Sequence, residues 1–244
     1  METQTKNPLW TRNFTIITLG SVVSLCGNAI SGFAMSLLVL DLTGSSFLYA
    51  TFVAVYTLPQ IFVPILSGTL LDRFSRRKTI YTLDYTSACL YALAGILLKL
   101  ELFTFPVLVV FAFIVGCINS VYTVAYQSFY PLLITEGNFS RAYSIASVLE
   151  TLAAVAVPIS AFAYNQLGIV PLMFVNTACF FIAATAETQI RAEEKYTKEA
   201  AAPVNGQFRQ MLTDTKEGFR YLASEKGLLC IGVYFFFCSM GSGA

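Results

Sequence analysis

The 244-residue chain contains no histidine, and its six cysteines stand singly in apolar stretches. Zinc and haem sites draw their ligands mainly from histidine and closely spaced cysteine, so neither kind of site is expected. The cysteines are interpreted as small buried apolar residues. Because histidine, a metal site and an activated nucleophile are all missing, the sequence predicts no cofactor and argues against an enzyme.

Charged residues are also scarce, at 12% of the chain against roughly a quarter in soluble domains. Hydrophobic residues make up 56%, and the mean hydropathy is +0.67. This composition predicts a protein that lies in lipid, with membrane lipids as partners. The net charge of only +1 gives no support to a nucleic-acid partner.

A cleavable signal peptide is not expected, because the first apolar run is longer than the roughly 7–15 residues of a signal core. Six apolar runs reach about 20 residues, the length that crosses a bilayer. Continuous runs of this kind predict an all-α integral membrane protein rather than a barrel. The runs are 14–40, 47–71, 79–98, 102–126, 142–164 and 169–187, within a predicted transmembrane domain 1–188.

Residues 189–226 are predicted to form a linker on the cytoplasmic side of the membrane. The segment 191–206 is charged, rich in alanine and broken by Pro203, which indicates flexibility. From Phe208 onward the apolar residues recur at helical spacing, which predicts an amphipathic helix along the membrane surface. We favour a brace between two halves over a regulatory role for it. Residues 227–244 begin a seventh apolar helix without a polar end, as expected of a truncated product or a fragment.

The distribution of positive charge predicts the orientation. With a cytoplasmic N-terminus, 14 of the 15 Lys and Arg residues fall in cytoplasmic segments and only Lys99 lies outside. Positive residues concentrate in cytoplasmic loops. The prediction is therefore a multi-pass protein of a cell membrane, bacterial in origin, with its N-terminus in the cytoplasm.

The densest cationic segment, here called the cationic hairpin, is Gly68-Thr-Leu-Leu-Asp-Arg-Phe-Ser-Arg-Arg-Lys78. Its guanidinium groups can pair with carboxylates or helix C-termini across a moving interface, and Asp84 and Glu136 are available partners. The alternative is that these cations only anchor the topology and bind anionic lipid.

The cationic hairpin resembles the loop between the second and third helices of major facilitator superfamily transporters, Gly-x-Leu-Ala-Asp-Arg-x-Gly-Arg-Arg/Lys-Lys. Leu71 replaces the alanine and Ser75 the second glycine. The resemblance implies a conformational latch that breaks and re-forms during alternating access. The latch candidates are Gly68, Asp72, Arg73, Arg76, Arg77, Lys78 and Asp84.

The order of helices resembles the N-terminal half of that superfamily, a six-helix bundle built as a 3+3 inverted repeat. The resemblance implies a small-molecule substrate and, as a partner, the missing C-terminal half of the same transporter. The spacing is similar to that of the macrolide and siderophore efflux branch. Gly27-Asn28 in the first helix and Thr43-Gly44-Ser45 just after it carry this similarity.

Polar residues share one face of the first helix and one face of the fourth. Hydrogen bonding between helices would explain either stripe alone. The family resemblance places these two helices around the central cavity, and the aromatic side chains suit a large, partly apolar substrate. The substrate-cavity candidates are Ser24, Asn28, Ser31, Asn119, Tyr122 and Tyr126.

Glu150 is the candidate for proton coupling. It lies about 12 Å into the fifth helix, near the middle of the bilayer, where a carboxylate is costly unless it is protonated or faces water or a partner. The alternative is a protonated glutamic acid that only joins helices. Val157-Pro158 stands where antiporters of the family carry Gly-Pro, so the exporter motif is only partly kept.

The sequence therefore favours a secondary active transporter, with proton-coupled efflux of a drug-like or siderophore-like molecule by alternating access. The alternatives are an importer of the same superfamily and a non-transporting membrane subunit or receptor. A subunit or receptor would not need two matching polar stripes or the Gly-x-Leu-x-Asp-Arg turn.

Overall fold

The computed structural model describes residues 8–71 and 74–191, together with scattered positions between 220 and 234. Over the two long ranges the chain forms six long helices and a 3-10 turn at Tyr130–Leu133. Each helix is long and apolar enough to cross a membrane, which confirms the all-α integral membrane class. The helices are α1 Arg12–Thr43, α2 Ser46–Leu71, α3 Arg76–Lys99, α4 Phe105–Phe129, α5 Phe139–Leu167 and α6 Ile169–Glu187.

Short polar signals set the ends of α1. The Phe14 N–H donates to the side chain of Thr11 at 3.2 Å, which caps the first turn. Gly44 ends the helix with a φ of 59°, a left-handed conformation that favours glycine. The Ser45 N–H then donates to Thr43 Oγ1 at 3.3 Å. The Thr-Gly-Ser motif is thus the tight turn between α1 and α2.

Successive helices run in opposite directions because the turns between them are short. We call the end of the bundle at which α1 begins the N-terminal face. There, Thr135 Oγ1 donates to the Pro8 carbonyl at 3.2 Å, and the Arg191 N–H donates to Asn13 Oδ1 at 3.1 Å. At the opposite face, the Tyr164 hydroxyl donates to Asp41 Oδ2 at 2.5 Å.

The packing of the helices repeats after every three. The main contacts are α3 with α6 and α4, α2 with α4, and α1 with α6 and α5. If the first three helices are exchanged with the last three, in order, the α2–α4 contact becomes the α5–α1 contact, and the α1–α6 contact becomes the α4–α3 contact. The α3–α6 contact is unchanged. Because α1 and α4 run in opposite directions, this is the pattern of a 3+3 inverted repeat.

Two apolar clusters fill the bundle, one near each face. Phe14, Ile17, Ile80 and Phe129 belong to the cluster near the N-terminal face. The other cluster contains Met35, Tyr91 and further residues of α4 and α6. A layer of buried polar side chains lies between them along α1, α3 and α4. Buried polar groups need partners, so this layer is where specific interactions are expected. Its members on these three helices include Thr18, Ser21, Ser24, Asp84, Ser87 and Ser120.

Candidate functional site

A polar cavity lies between α1, α4 and α5. It has a volume of about 310 Å³ and is partly open. Five of the six substrate-cavity candidates line it, and so does Glu150. We call it the central cavity; the candidates in its wall are Ser24, Asn28, Asn119, Tyr122 and Tyr126.

Tyrosine rings form one wall of the central cavity. Tyr122, Tyr126 and Tyr130 follow one another at a spacing of four residues, so they share a helix face. The ring centroids are 6.0 Å apart for the first pair and 5.4 Å apart for the second, and both pairs are stacked. Tyr130 is fixed further by its hydroxyl, which donates to the Ala142 carbonyl at 3.0 Å. The wall is therefore a continuous aromatic surface that is held in place at one end.

Glu150 lies on the face of α5 that lines the central cavity, together with Tyr143 and Ser147. Its side chain is exposed in this structure. Among the described residues it makes no hydrogen bond and no salt bridge. Tyr126 lies close enough for its phenol to interact electrostatically with the Glu150 carboxyl group. The carboxyl group is thus directed at the aromatic wall and at open space.

Ser31 does not line the central cavity, contrary to expectation. Its side chain is completely buried, and Asn176 Nδ2 of α6 donates to Ser31 Oγ at 2.7 Å. A buried amide needs a hydrogen-bond partner, and Ser31 supplies one from the neighbouring helix. This serine therefore joins α1 to α6.

The cationic hairpin is described only in part. Asp72 and Arg73 lie outside the described residues, and Gly68 is in the last turn of α2. Arg76 Nη1 donates to the Ser128 carbonyl at 3.0 Å, and Arg77 Nη1 donates to the Ile190 carbonyl. The Ser128 carbonyl is in the last turn of α4, and the Ile190 carbonyl lies three residues after the end of α6. Positive charge is favourable near the C-termini of helices.

The other latch candidates differ in their surroundings. Lys78 has an exposed side chain, while its backbone N–H donates to Ser75 Oγ at 3.2 Å and caps α3. Asp84 lies two turns deeper, only 1% exposed, and accepts a hydrogen bond from Ser24 Oγ at 3.3 Å. Its surroundings are the interior of the bundle and not the described part of the cationic hairpin.

Comparison with known proteins identifies the family. The family model described as transmembrane secretion effector matches residues 3–241. The chain belongs to this family. It is one of the major facilitator superfamily, a class of transporters and not of enzymes, so the resemblance in the sequence is confirmed.

A curated relative supports the assignment to the major facilitator superfamily. The protein called "Uncharacterized MFS-type transporter YkuC", from Bacillus subtilis (strain 168), is 27% identical over 243 residues. The alignment takes in 95% of this chain and 54% of the relative. The chain thus spans about half the length of the curated relative that it matches.

Two polar residues of this major facilitator bundle were missed in the sequence. Asn176 and Glu187 of α6 are both completely buried, although α6 reads as a plain apolar run. They are eleven residues apart, about three helical turns, so they lie on the same face. Buried Phe180 and Ala183 lie between them on that face. The helical period could therefore have identified this face as one that packs on other helices.

Proposed function

We propose that the full-length protein is a proton-coupled exporter of a drug-like or siderophore-like molecule. The observation that carries the proposal is the position of Glu150, whose carboxyl group faces a tyrosine-lined cavity between α1, α4 and α5. An ionisable side chain at membrane depth suggests a functional site by default. The superfamily supplies the general mechanism, alternating access between the two sides of the membrane.

The lining of the central cavity supports a partly apolar substrate. Tyrosine rings offer apolar faces with a polar edge, while Asn28 and Asn119 offer amide donors and acceptors. The volume of about 310 Å³ is at the lower end for small-molecule sites, which span about 300–1,000 Å³. A facing C-terminal half would enlarge the site, since this chain spans about half the length of its relative.

Asn28 lies where the central cavity meets a second cavity. The second one has a volume of about 370 Å³ and is lined by residues of α1 to α4, among them Gly32, Tyr49 and Tyr56. Asn28 belongs to both linings. A substrate site at such a junction can communicate with either face of the membrane, which is what alternating access requires.

In the proposed cycle, Glu150 takes up a proton when the central cavity is open to the side of higher acidity. Substrate leaves the cavity in exchange, and the proton is released on the other side after the conformational change. The cationic hairpin holds one of the two conformations through its contacts at the ends of α4 and α6. The protein lies in a cell membrane with its N-terminus in the cytoplasm.

The first prediction tests Glu150 by Glu150→Gln in the full-length protein, reconstituted in proteoliposomes. The amide keeps the size of the side chain but cannot carry a proton. Accumulation of a radiolabelled macrolide or a labelled siderophore under an imposed pH gradient should fall to the level of downhill equilibration. Exchange without a gradient should persist, because the rest of the cavity is intact.

Glu101→Gln is the matched control, since Glu101 is an exposed carboxyl group outside the central cavity. It should accumulate substrate as the parent does. A Glu150→Gln protein that still responds fully to the gradient would exclude Glu150 as the coupling residue. If the parent protein accumulates substrate in the direction opposite to the proposed export, the importer alternative is favoured instead.

A further inference from the structure

Two further carboxyl groups lie inside the bundle, apart from Glu150. Asp84 of α3 is 1% exposed, and Glu187 at the end of α6 is completely buried. Helices α3 and α6 pack directly on each other, and the two carboxyl groups are within interacting distance across this contact. We call them the carboxyl pair.

Helix α1 covers the carboxyl pair with small residues. Ser24 Oγ donates to Asp84 Oδ2 at 3.3 Å. Gly20, one turn earlier, leaves room for the other member, since a Cβ atom at Gly20 would lie 3.1 Å from Glu187 Oε1. Both members are therefore held against the same face of α1.

The carboxyl pair is poorly compensated within the described residues. Both oxygens of Glu187 are buried without a hydrogen-bond partner there. Neither member forms a salt bridge with a described Lys or Arg. Lys78, the cation nearest to Asp84 along α3, has an exposed side chain, and Arg77 donates to the Ile190 carbonyl. A buried ion without a partner costs several kcal/mol, and two carboxylates in contact also repel each other.

Among the described residues, the groups that face the carboxyl pair from other helices do not supply a positive charge. Tyr122 of α4 lies beside both members, and Tyr126 lies beside Glu187. Helix α1 offers the Ser24 hydroxyl, and α5 directs Glu150 into the central cavity instead. A proton is the simplest remaining compensation, because it removes one negative charge and turns one carboxyl group into a donor for the other.

We propose that Asp84 and Glu187 form a buried proton-binding site that retains a proton at neutral pH and joins α3, α6 and α1. With one proton, one member is a carboxylic acid that donates to the carboxylate of the other. Loss of that proton leaves two adjacent negative charges, which separates α3 from α6. The site is distinct from Glu150, and its existence does not depend on the substrate or the direction of transport.

A small cavity lies between Asp84 and residues of the central cavity. It has a volume of about 20 Å³ and is lined by Asp84 together with Asn28, Asn119 and Tyr122. The last three residues also line the central cavity. The volume is sufficient for about one water molecule. The carboxyl pair therefore lies one polar layer behind the proposed substrate site.

Infrared spectroscopy of the protein reconstituted in lipid tests the proposal directly, because a protonated carboxyl group has its own C=O stretching band. The parent should show this band at pH 7. The double variant Asp84→Asn/Glu187→Gln should lose it. Each single variant should shift its frequency, since an amide then replaces the carboxyl partner, and this readout remains if the double variant fails to fold.

Glu150→Gln identifies any contribution of Glu150 to the spectrum, and the band of the carboxyl pair should survive it. The experiment therefore distinguishes failure of the coupling role proposed for Glu150 from failure of the proton site at the carboxyl pair. A parent without the band at pH 7, or a band unchanged in all three variants of the pair, would overturn the proposal. So would loss of the band on addition of Na⁺ or Ca²⁺ at constant pH, which would identify a metal-ion site.

Discussion

Gly27 and Gly32 lie on the same helix but have different surroundings. A Cβ atom at Gly27 would lie 2.2 Å from Asn176 Oδ1 and 3.1 Å from Cys179 Cβ, so Gly27→Ala must displace the Asn176 side chain or move α1 away from α6. We expect a loss of about 1–3 kcal/mol in the free energy of unfolding, as for other overpacked contacts. At this chain length, each kcal/mol lowers the unfolding temperature by roughly 2–4 °C. Thermal unfolding in detergent, followed by circular dichroism, measures the effect.

Gly32→Ala is the matched control for Gly27→Ala. Apart from the adjacent backbone of α1, no atom of the described residues lies within 4 Å of a Cβ placed at Gly32. Alanine is a better helix former than glycine by about 0.5–1 kcal/mol, so the unfolding temperature should stay the same or rise. Equal losses in the two variants would show that the contact with Asn176 does not determine the effect.

The same comparison of residues shows what the sequence can predict about the site. Ser24 and Ser31 are seven residues apart and share a face of α1, so helical spacing predicts one role for both. In the structure, Ser24 lines the central cavity and binds Asp84, whereas Ser31 binds Asn176 of α6. Helical periodicity predicts which residues share a face of a helix. Which neighbour crosses that face at each level depends on tertiary packing, which a single sequence does not reveal.

At the scale of elements, the start of α3 connects the two repeats. Arg76 and Arg77 are adjacent, yet they reach carbonyl groups at the ends of α4 and α6. Arg77→Gln removes a charge-assisted hydrogen bond, which contributes about 1–2 kcal/mol. We expect reduced thermal stability and slower transport by the full-length protein, with normal membrane insertion.

Lys78→Gln removes the same charge from the next residue, whose side chain is exposed. If the cationic hairpin works as a latch through the contacts of Arg76 and Arg77, without Lys78, this variant should resemble the parent in stability and transport rate. If its cations only anchor the topology, the two variants should behave alike. Because each variant loses one positive charge, the comparison distinguishes a latch from a topology anchor.

The helices themselves were largely predictable, because an apolar run of about 20 residues has few other stable structures in lipid. The ends of the helices were less predictable. Helix α5 begins at Phe139 and not at residue 142, and α1 extends from Arg12 to Thr43. Hydropathy marks the part of a helix that lies in hydrocarbon, whereas backbone hydrogen bonds continue into the polar flanks. The 3-10 turn at Tyr130–Leu133 was missed for a similar reason, since it continues α4 without a change in hydropathy.

At the scale of the whole molecule, the arrangement of charge relative to the bundle leads to the last prediction. Charge counting predicts that the N-terminal face lies in the cytoplasm, because the topology expected from the sequence assigns 14 of the 15 Lys and Arg residues to cytoplasmic segments. Ser140, at the start of α5, and Glu101, between α3 and α4, are both exposed and belong to opposite faces. With a membrane-impermeant maleimide, Glu101→Cys should be labelled in intact cells and Ser140→Cys only in inverted vesicles. Labelling of the parent measures the background of the native cysteines. The reverse pattern would invert the proposed orientation and, with it, the side to which the cationic hairpin belongs.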